Sequence, residues 1–255
     1  MVDAQLFGGK VVLITGAGSG IGRGSALGFA ERGATVVCVG RSQSALDETV
    51  ALIAESGGTA EAFVADVTES SAIAAAVAFT VERFGGLHIA HNNAGVFPKP
   101  APLADLDAAD WLRTLNTNVT GIMYAMQHEI RHMRANGGGV VVNTSSNIGA
   151  RGHRPGMAAY AASKAAVSTL SSIAALDHIA DNIRINAVSP GATATEMSRR
   201  PGETDEDRSA RLKNAVPIGR AGTVDEVVEA AIWLASPASS FVVGADLVID
   251  GGVTA

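Results

Sequence analysis

Short apolar, β-branched runs alternate along the chain with longer stretches whose apolar positions recur at helical spacing. VVLIT at 11–15 precedes a helical pattern reaching about Arg32, and TVVCV at 35–39 precedes another reaching Glu55. EAFVADV at 61–67 leads to a helix ending near Phe84. LHIAHNNAG at 87–95 is followed by a long helix from Trp111 to Arg134. GVVVNTSS at 139–146 then precedes a helix from Gly156 to Ala180, IRINAV at 183–188 leads into an irregular stretch, and ADLVIDGG at 245–252 supplies a seventh strand. Continuous apolar strands are buried on both faces, and strand–helix alternation makes right-handed crossovers. The pattern predicts an α/β fold: one doubly wound domain spanning 1–255, with a seven-stranded parallel sheet and helices on both faces. Residues 196–216 break the pattern. They are charge-rich, follow a Pro-Gly turn, and read as a mobile, solvent-exposed excursion suited to a substrate lid.

Composition narrows the function. Of the 255 residues, 47% are hydrophobic and 17% charged, so the chain can bury a sizeable core. A net charge of −6 gives no electrostatic reason to expect nucleic acid or an anionic membrane as partner. The single cysteine, Cys38, sits in an apolar run with no disulfide partner, and the polar N-terminus precedes an apolar run too short for a signal core or a span. These features point to the cytoplasm. His88 and His91 lack a cysteine or carboxylate set at ligand spacing, so no metal is expected.

Three local patterns carry chemistry. Gly16-Ala17-Gly18-Ser19-Gly20-Ile21-Gly22 lies between the first strand and first helix, where glycines let backbone approach a pyrophosphate held at a helix N-terminus. Tyr160 and Lys164, four residues apart in AAYAASKAAV, share a helix face. A phenol titrates near pKa ~10, and a neighbouring ammonium favours the phenolate, making a usable acid/base. The second strand ends in Gly40-Arg41-Ser42 rather than an acid, so a guanidinium awaits a 2′-phosphate there; NADP(H) is expected over the alternative, NAD(H).

Together with a serine pair upstream of Tyr160 and a Pro-Gly loop downstream, these patterns resemble the short-chain dehydrogenase/reductase family over nearly the whole chain, from Gly9 to Gly252. The resemblance implies a Rossmann-type fold and an oxidoreductase interconverting a carbonyl and an alcohol. It implies a catalytic tetrad of Asn118, Ser146, Tyr160 and Lys164, with Asn118 holding a water and Lys164 also binding the nicotinamide ribose. Asp66 and Val67 would hold adenine, and Asn93-Ala94-Gly95 would border the adenosine ribose. Pro190, Gly191, Thr193 and Thr195 would hold the carboxamide. The family places its serine thirteen positions before the tyrosine, which here is Asn147. Ser146, fourteen before, is preferred for its TSS context and the following Gly149, with Ser145 and Asn147 as alternatives. Asn118 precedes the family's V-x-G; nearby Asn116 is read as a cap or solvent-facing residue.

Phe97, Met157, Ala192 and the excursion are expected around the substrate, with His153 and Arg154 on a nearby loop. The pocket character suits ketones, hydroxysteroids, sugars, acyl thioesters or polycyclic compounds alike. A non-catalytic nucleotide-binding sensor on the same fold is the competing reading, and the presence of both Tyr160 and Lys164 speaks against it. A homotetramer is expected. Family members of this length assemble through two long helices and the last strand, and the helix AAVSTLSSIAAL carries small residues on more than one face.

Overall fold

The computed structural model describes residues 3–200 and 202–255. Seven parallel strands form one sheet in the order β3-β2-β1-β4-β5-β6-β7. They are β1 (Val11–Thr15), β2 (Thr35–Gly40), β3 (Thr59–Val64), β4 (Ile89–Asn92), β5 (Gly139–Thr144), β6 (Ile183–Pro190) and β7 (Asp246–Ile249). The strand order reverses between β1 and β4, where Thr15 pairs with Asn92 on one side and Val39 on the other. At such a reversal the loops leaving the carboxyl ends diverge and open a crevice.

Helices cover both faces. On one side, α1 (Gly20–Ala30), α2 (Gln43–Glu55) and α8 (Val224–Ala235) bury Phe29, Leu46, Ile53 and Ile232 against Val12, Ile14 and Val142. On the other, α3 (Ser70–Phe84), α5 (Gly121–Ala135) and α6 (Ala158–His178) bury Ile73, Met126, Met133 and Val167 against Leu13, Val37 and Val141. A Cβ on Gly24 would lie 2.4 Å from Val224 Cγ1, and one on Gly28 would lie 2.9 Å from Val228 Cγ1. Both glycines let α1 and α8 touch closely.

Four expectations need correction. The third strand stops at Val64, leaving Asp66 and Val67 beyond it. The long helix predicted from Trp111 starts at Ala108 and is three pieces in succession: α4 (Ala108–Leu115), a π-helical turn (Asn116–Thr120) and α5. The stretch before β7 is not irregular, for it contains α8, entered through a capping box in which Thr223 and Glu226 satisfy each other's backbone N–H. The excursion is exposed but built rather than loose: α7 (Asp205–Ala215) opens with a second capping box, Thr204 with Asp207.

Candidate functional site

The glycine turn enters the crevice at the end of β1. Gly16 and Gly20 have φ of 70° and 52°, the left-handed region that glycine adopts freely. Gly22 has a different reason: a Cβ there would lie 2.1 Å from Gly16 O. The turn is tied down by residues the sequence reading passed over. Thr49 donates to Ala17 O (2.9 Å), and Arg23 donates to Gly18 O (2.6 Å) and to Glu48 (2.8 Å). Ser19, the N-cap of α1, is exposed and makes no capping bond, and no acid occupies the first turn of that helix. The N-terminus thus presents free N–H groups and a free hydroxyl to an anion, in a turn wound too tightly for any side chain at position 22. These features fit a pyrophosphate.

Asn93, Ala94 and Gly95 leave β4 beside this cradle. Thr15 Oγ1 accepts from the N–H of Asn93 and of Ala94, both at 3.1 Å, and Asn93 Nδ2 donates to Thr15 O (3.3 Å). The segment therefore splices β1 to β4. At the adenosine end, Arg41 is 72% exposed and its guanidinium lies 3.9 Å from Asp66 Oδ2. Asp66 Oδ1 is held by the N–H and hydroxyl of Thr68, both at 2.9 Å. Ser42 caps α2, accepting from Ala45 N (3.4 Å), and Val67 is buried against Gly121.

The catalytic candidates converge where β5 meets the first two turns of α6. Ser145 turns away from the cleft, donating to Lys164 O (2.8 Å) and meeting Ser168 Oγ (2.8 Å). Asn147 reaches Asp250 Oδ2 at 3.3 Å. Ser146 is the one of the three set against the Tyr160 phenol, whose ionisation it favours, and its Oγ accepts from Ile148 N (3.1 Å). Lys164 donates to Thr144 O (2.8 Å) and sits 5.8 Å from the Tyr160 ring centre. Asn118 occupies the π-helical turn; its amide holds both the N–H (2.8 Å) and the C=O (3.0 Å) of Val96 and donates to Ser163 (3.1 Å). A Cβ at Gly95 would lie 3.3 Å from Asn118 Oδ1 and 3.6 Å from Lys164 Nζ, so only glycine leaves that space open. Asn116 lies in the same turn, exposed.

Electrostatics differ here from the simple ammonium–phenolate picture. Burial pushes Lys164 down to about 8 and raises Tyr160, with the Ser146 hydrogen bond opposing the rise. The amine is bonded to a carbonyl rather than to the phenol, so desolvation outweighs attraction in the cofactor-free protein. His91 is buried, meets Thr144 Oγ1 at 3.0 Å, and is pushed down to about 4 by burial.

Pro190 ends β6 and Gly191 opens the loop that follows, which faces the glycine turn: a Cβ on Gly20 would lie 3.3 Å from Thr195 Cγ2. Thr193 O accepts from Ser198 Oγ (2.5 Å) and from Arg208 Nη2 of α7 (2.9 Å). Arg208 also reaches Thr195 O at 3.4 Å and bonds Ser198 Oγ. Farther out, Arg211 grips both oxygens of Glu203 (2.6 and 2.9 Å), and Arg199 pairs with Asp205 (2.6 Å). Phe97 packs its ring 4.7 Å from that of Tyr160, and Ala101 N donates to Gly156 O (3.0 Å), joining the loops on which Lys99, Arg151, His153 and Arg154 are exposed. None of these three lysine and arginine residues has a carboxylate partner among the described residues. Among those residues no group of three or more His, Cys, Asp or Glu is placed to hold a metal ion, and no helix is long and apolar enough to cross a membrane.

A doubly wound sheet with a glycine cradle at its strand reversal is the architecture of a dinucleotide-binding protein. Comparison with known proteins makes the class specific. A family model described as Enoyl-(Acyl carrier protein) reductase matches residues 16–254. The chain is 40% identical to the cis-4-hydroxycyclohexanecarboxylate dehydrogenase of Sinomonas cyclohexanicum, over 98% of this chain and 99% of that one. It is similar to the crystal structure of a short-chain type dehydrogenase/reductase from Mycobacterium marinum, with a TM-score of 0.93 at 36% identity, covering 99% and 98% of the two chains. A 7α-hydroxysteroid dehydrogenase complexed with NADH and 7-oxo glycochenodeoxycholic acid gives 0.91 at 35% identity over 100% and 99%. The chain belongs to the short-chain dehydrogenase/reductase family.

Proposed function

We propose that this protein is an NADP(H)-dependent oxidoreductase that interconverts a ketone or aldehyde and an alcohol, with Tyr160 as its acid/base. The observation that carries this is the convergence of Ser146, Tyr160 and Lys164 beside the glycine cradle, with Ser145 and Asn147 bonded elsewhere. A bound nicotinamide supplies or accepts the hydride. In reduction, the Tyr160 hydroxyl gives its proton to the carbonyl oxygen while Ser146 donates a hydrogen bond to the same atom, stabilising the charge that develops there. In oxidation the phenol takes the proton back. Lys164 supports the phenolate and binds the nicotinamide ribose hydroxyls. Asn118 fixes Val96 and holds the water that relays protons from Lys164.

In this reading Gly16, Ser19, Gly20, Ile21 and Gly22 cradle the pyrophosphate. Asp66, Val67 and Asn93 to Gly95 line the adenosine end, and Pro190, Gly191, Thr193 and Thr195 take the carboxamide. Arg41 and Ser42 receive the 2′-phosphate, and the exposure of the Arg41 guanidinium supports this choice, since only a distant ion pair would have to yield.

Residues 1–255 act as one domain, with 196–216 as a lid hinged on the carboxamide loop. The substrate we propose is an alicyclic secondary alcohol or its ketone bearing an acidic group. Two of the relatives named above act on or hold ring compounds carrying a carboxyl function, and the unpaired Lys99, Arg151 and Arg154 near Tyr160 suit such an anion. We further propose a cytoplasmic homotetramer. Exposed Leu112, Ile173 and Leu176 on α4 and α6, and the fully exposed Phe241 before β7, are apolar surfaces that a symmetric assembly would bury.

The test is purified protein with NADPH or NADH and a panel of cyclic ketones with and without a carboxylate, followed at the nicotinamide absorbance. The reading expects turnover with NADPH and a lower KM for the carboxylated members; absence of turnover across the panel with both cofactors counts against it.

A further inference from the structure

Glu129 lies on the inner face of α5 with no exposed surface. Asn92 Nδ2 donates to Glu129 Oε2 at 2.9 Å and to Asn143 Oδ1 at 3.0 Å. Asn143 Nδ2 donates to Ser171 Oγ at 2.9 Å, and the Ser171 proton goes to Val167 O at 2.7 Å. With the Ser171 proton on Val167 O, Ser171 accepts from Asn143 and Asn143 Oδ1 accepts from Asn92, so the relay runs in one direction. Two buried oxygens remain without a partner, Asn92 Oδ1 and Glu129 Oε1. They belong to groups already joined by one hydrogen bond. With Glu129 ionised, both are acceptors in a dry interior with no donor between them, a costly arrangement. One proton on the carboxyl satisfies both.

We propose that Glu129 is a positioning residue working as a neutral carboxylic acid: its O–H donates to Asn92 Oδ1 while its other oxygen accepts from Asn92 Nδ2. The resulting two-bond ring locks the carboxyl ends of β4 and β5 to α5. The next residues along those strands are Asn93 and Thr144, which bond each other (3.4 Å), and Thr144 O receives the Lys164 amine. The proton on Glu129 thus sets the seat of Lys164 from the neighbouring helix on the same face of the sheet, and its catalytic consequence rests on the site reading given above.

No charge on the surrounding elements competes. On β4, His91 is kept neutral and bonds Thr144 on the opposite face. On α3, Arg83 pairs with Glu61 and Glu82 is exposed. On α5, His128 meets Ser70, His132 accepts from Leu87 N, and Arg131 and Arg134 are exposed. On α6, Lys164 is held by Thr144, His178 pairs with Asp181, and Asp177 is exposed. On β6, Arg184 donates to carbonyls of Leu234, Ser236, Ser239 and Val242. Burial raises the Glu129 carboxyl to about 7, with the Asn92 hydrogen bond opposing.

Infrared difference spectra of the cofactor-free full chain, wild type minus Glu129→Gln, read the proton directly. Below about 7 the wild type should show the carbonyl stretch of a protonated carboxyl that the variant lacks, fading as pH rises past that point. Carboxylate bands alone at the lower pH would overturn the proposal. The positioning role is read from NADPH affinity by nicotinamide fluorescence, a unit below and a unit above that pH. Gln rebuilds the ring with N–H and C=O in a form that cannot ionise, so Glu129→Gln should hold its affinity relative to wild type at low pH and exceed wild type by roughly fivefold at high pH. The ratio cancels the cofactor's own titration. Parallel pH profiles would overturn the role. Failure of both NADPH and NADH to bind at any pH would overturn it too, together with the site reading, and the infrared result would still report the proton separately.

Discussion

The floor of the cleft and the segment over it are held by opposite means. Ser145, Lys164 and Asn118 are buried, and each spends its polar atoms on backbone groups of a neighbouring element: Lys164 O, Thr144 O, and both polar groups of Val96. Residues 196–216 are held by guanidinium–carboxylate pairs, the exposed one of Arg199 with Asp205 and the largely buried one of Arg211 with Glu203, plus the Arg208 contacts to Thr193 and Thr195. Buried bonds are expensive to break because the freed groups find no water, whereas surface pairs contribute roughly 0–1 kcal/mol each and are screened by salt. Proton transfer needs atoms fixed within a fraction of an ångström. A cover must open.

The sharpest break would come from Tyr160→Phe, which removes the proton and keeps the ring packed against Phe97. Turnover should fall by at least about 10²–10⁴-fold while cofactor binding survives; retention of a tenth or more of wild-type kcat would remove Tyr160 as the acid/base. Ser146→Ala should cost about a hundredfold or more in kcat with little change in stability. Ser145→Ala should do the reverse, lowering the unfolding midpoint because Lys164 O and Ser168 lose a partner, with the smaller loss of kcat. A larger kcat loss at position 145 would reassign the serine.

Arg41→Ala probes the outer rim of the floor. It should weaken NADP(H) by about 1.5–3 kcal/mol, the range for hydrogen bonds to charged groups, and leave NAD(H) nearly unchanged; equal losses would place Arg41 on adenine. Arg199→Ala should be the mildest in stability, leaving the urea unfolding midpoint almost unchanged, since its partner Asp205 is exposed, yet raise the substrate KM. A loss of several kcal/mol would mean that the lid belongs to the cooperative core.

Much of this was readable in the residues, and the omissions have physical causes. The seven strands are mostly apolar runs bounded by turns, so their number and parallel sense follow from alternation, whereas their order in the sheet does not. The missed helix, α8, had its signal in Thr223-Val-Asp-Glu226 ahead of the apolar face Val227, Val228, Ala231 and Ile232. It was obscured because the charged excursion runs straight into it. Helix α7 was hidden by its own polarity, with only Leu212 buried. The serine question could not be closed by counting, since Ser145 and Ser146 are distinguished only by what lies across the sheet edge, Lys164 O for one and the Tyr160 phenol for the other. Arg41 and Asp66 follow different strands, so their 3.9 Å approach is invisible to any local pattern. Glu129 gave no hint at all, sitting in a helix rich in polar residues where only burial marks it out.

The π-helical turn at Asn116–Thr120 has a consequence for the length of the chain itself. A helix advances about 100° per residue, and a single widened turn accommodates one residue more than regular winding would. Removing one residue between 116 and 120 should let the ladder close into ordinary α-helix with α4 and α5 in nearly the same phase as before. Glu129 would keep the face that meets Asn92, but Asn118 would lose its place in the widened turn and with it Val96. A one-residue deletion there should therefore spare the fold and strike the Val96 clamp, making residue count in this short span a determinant of the site rather than of the architecture.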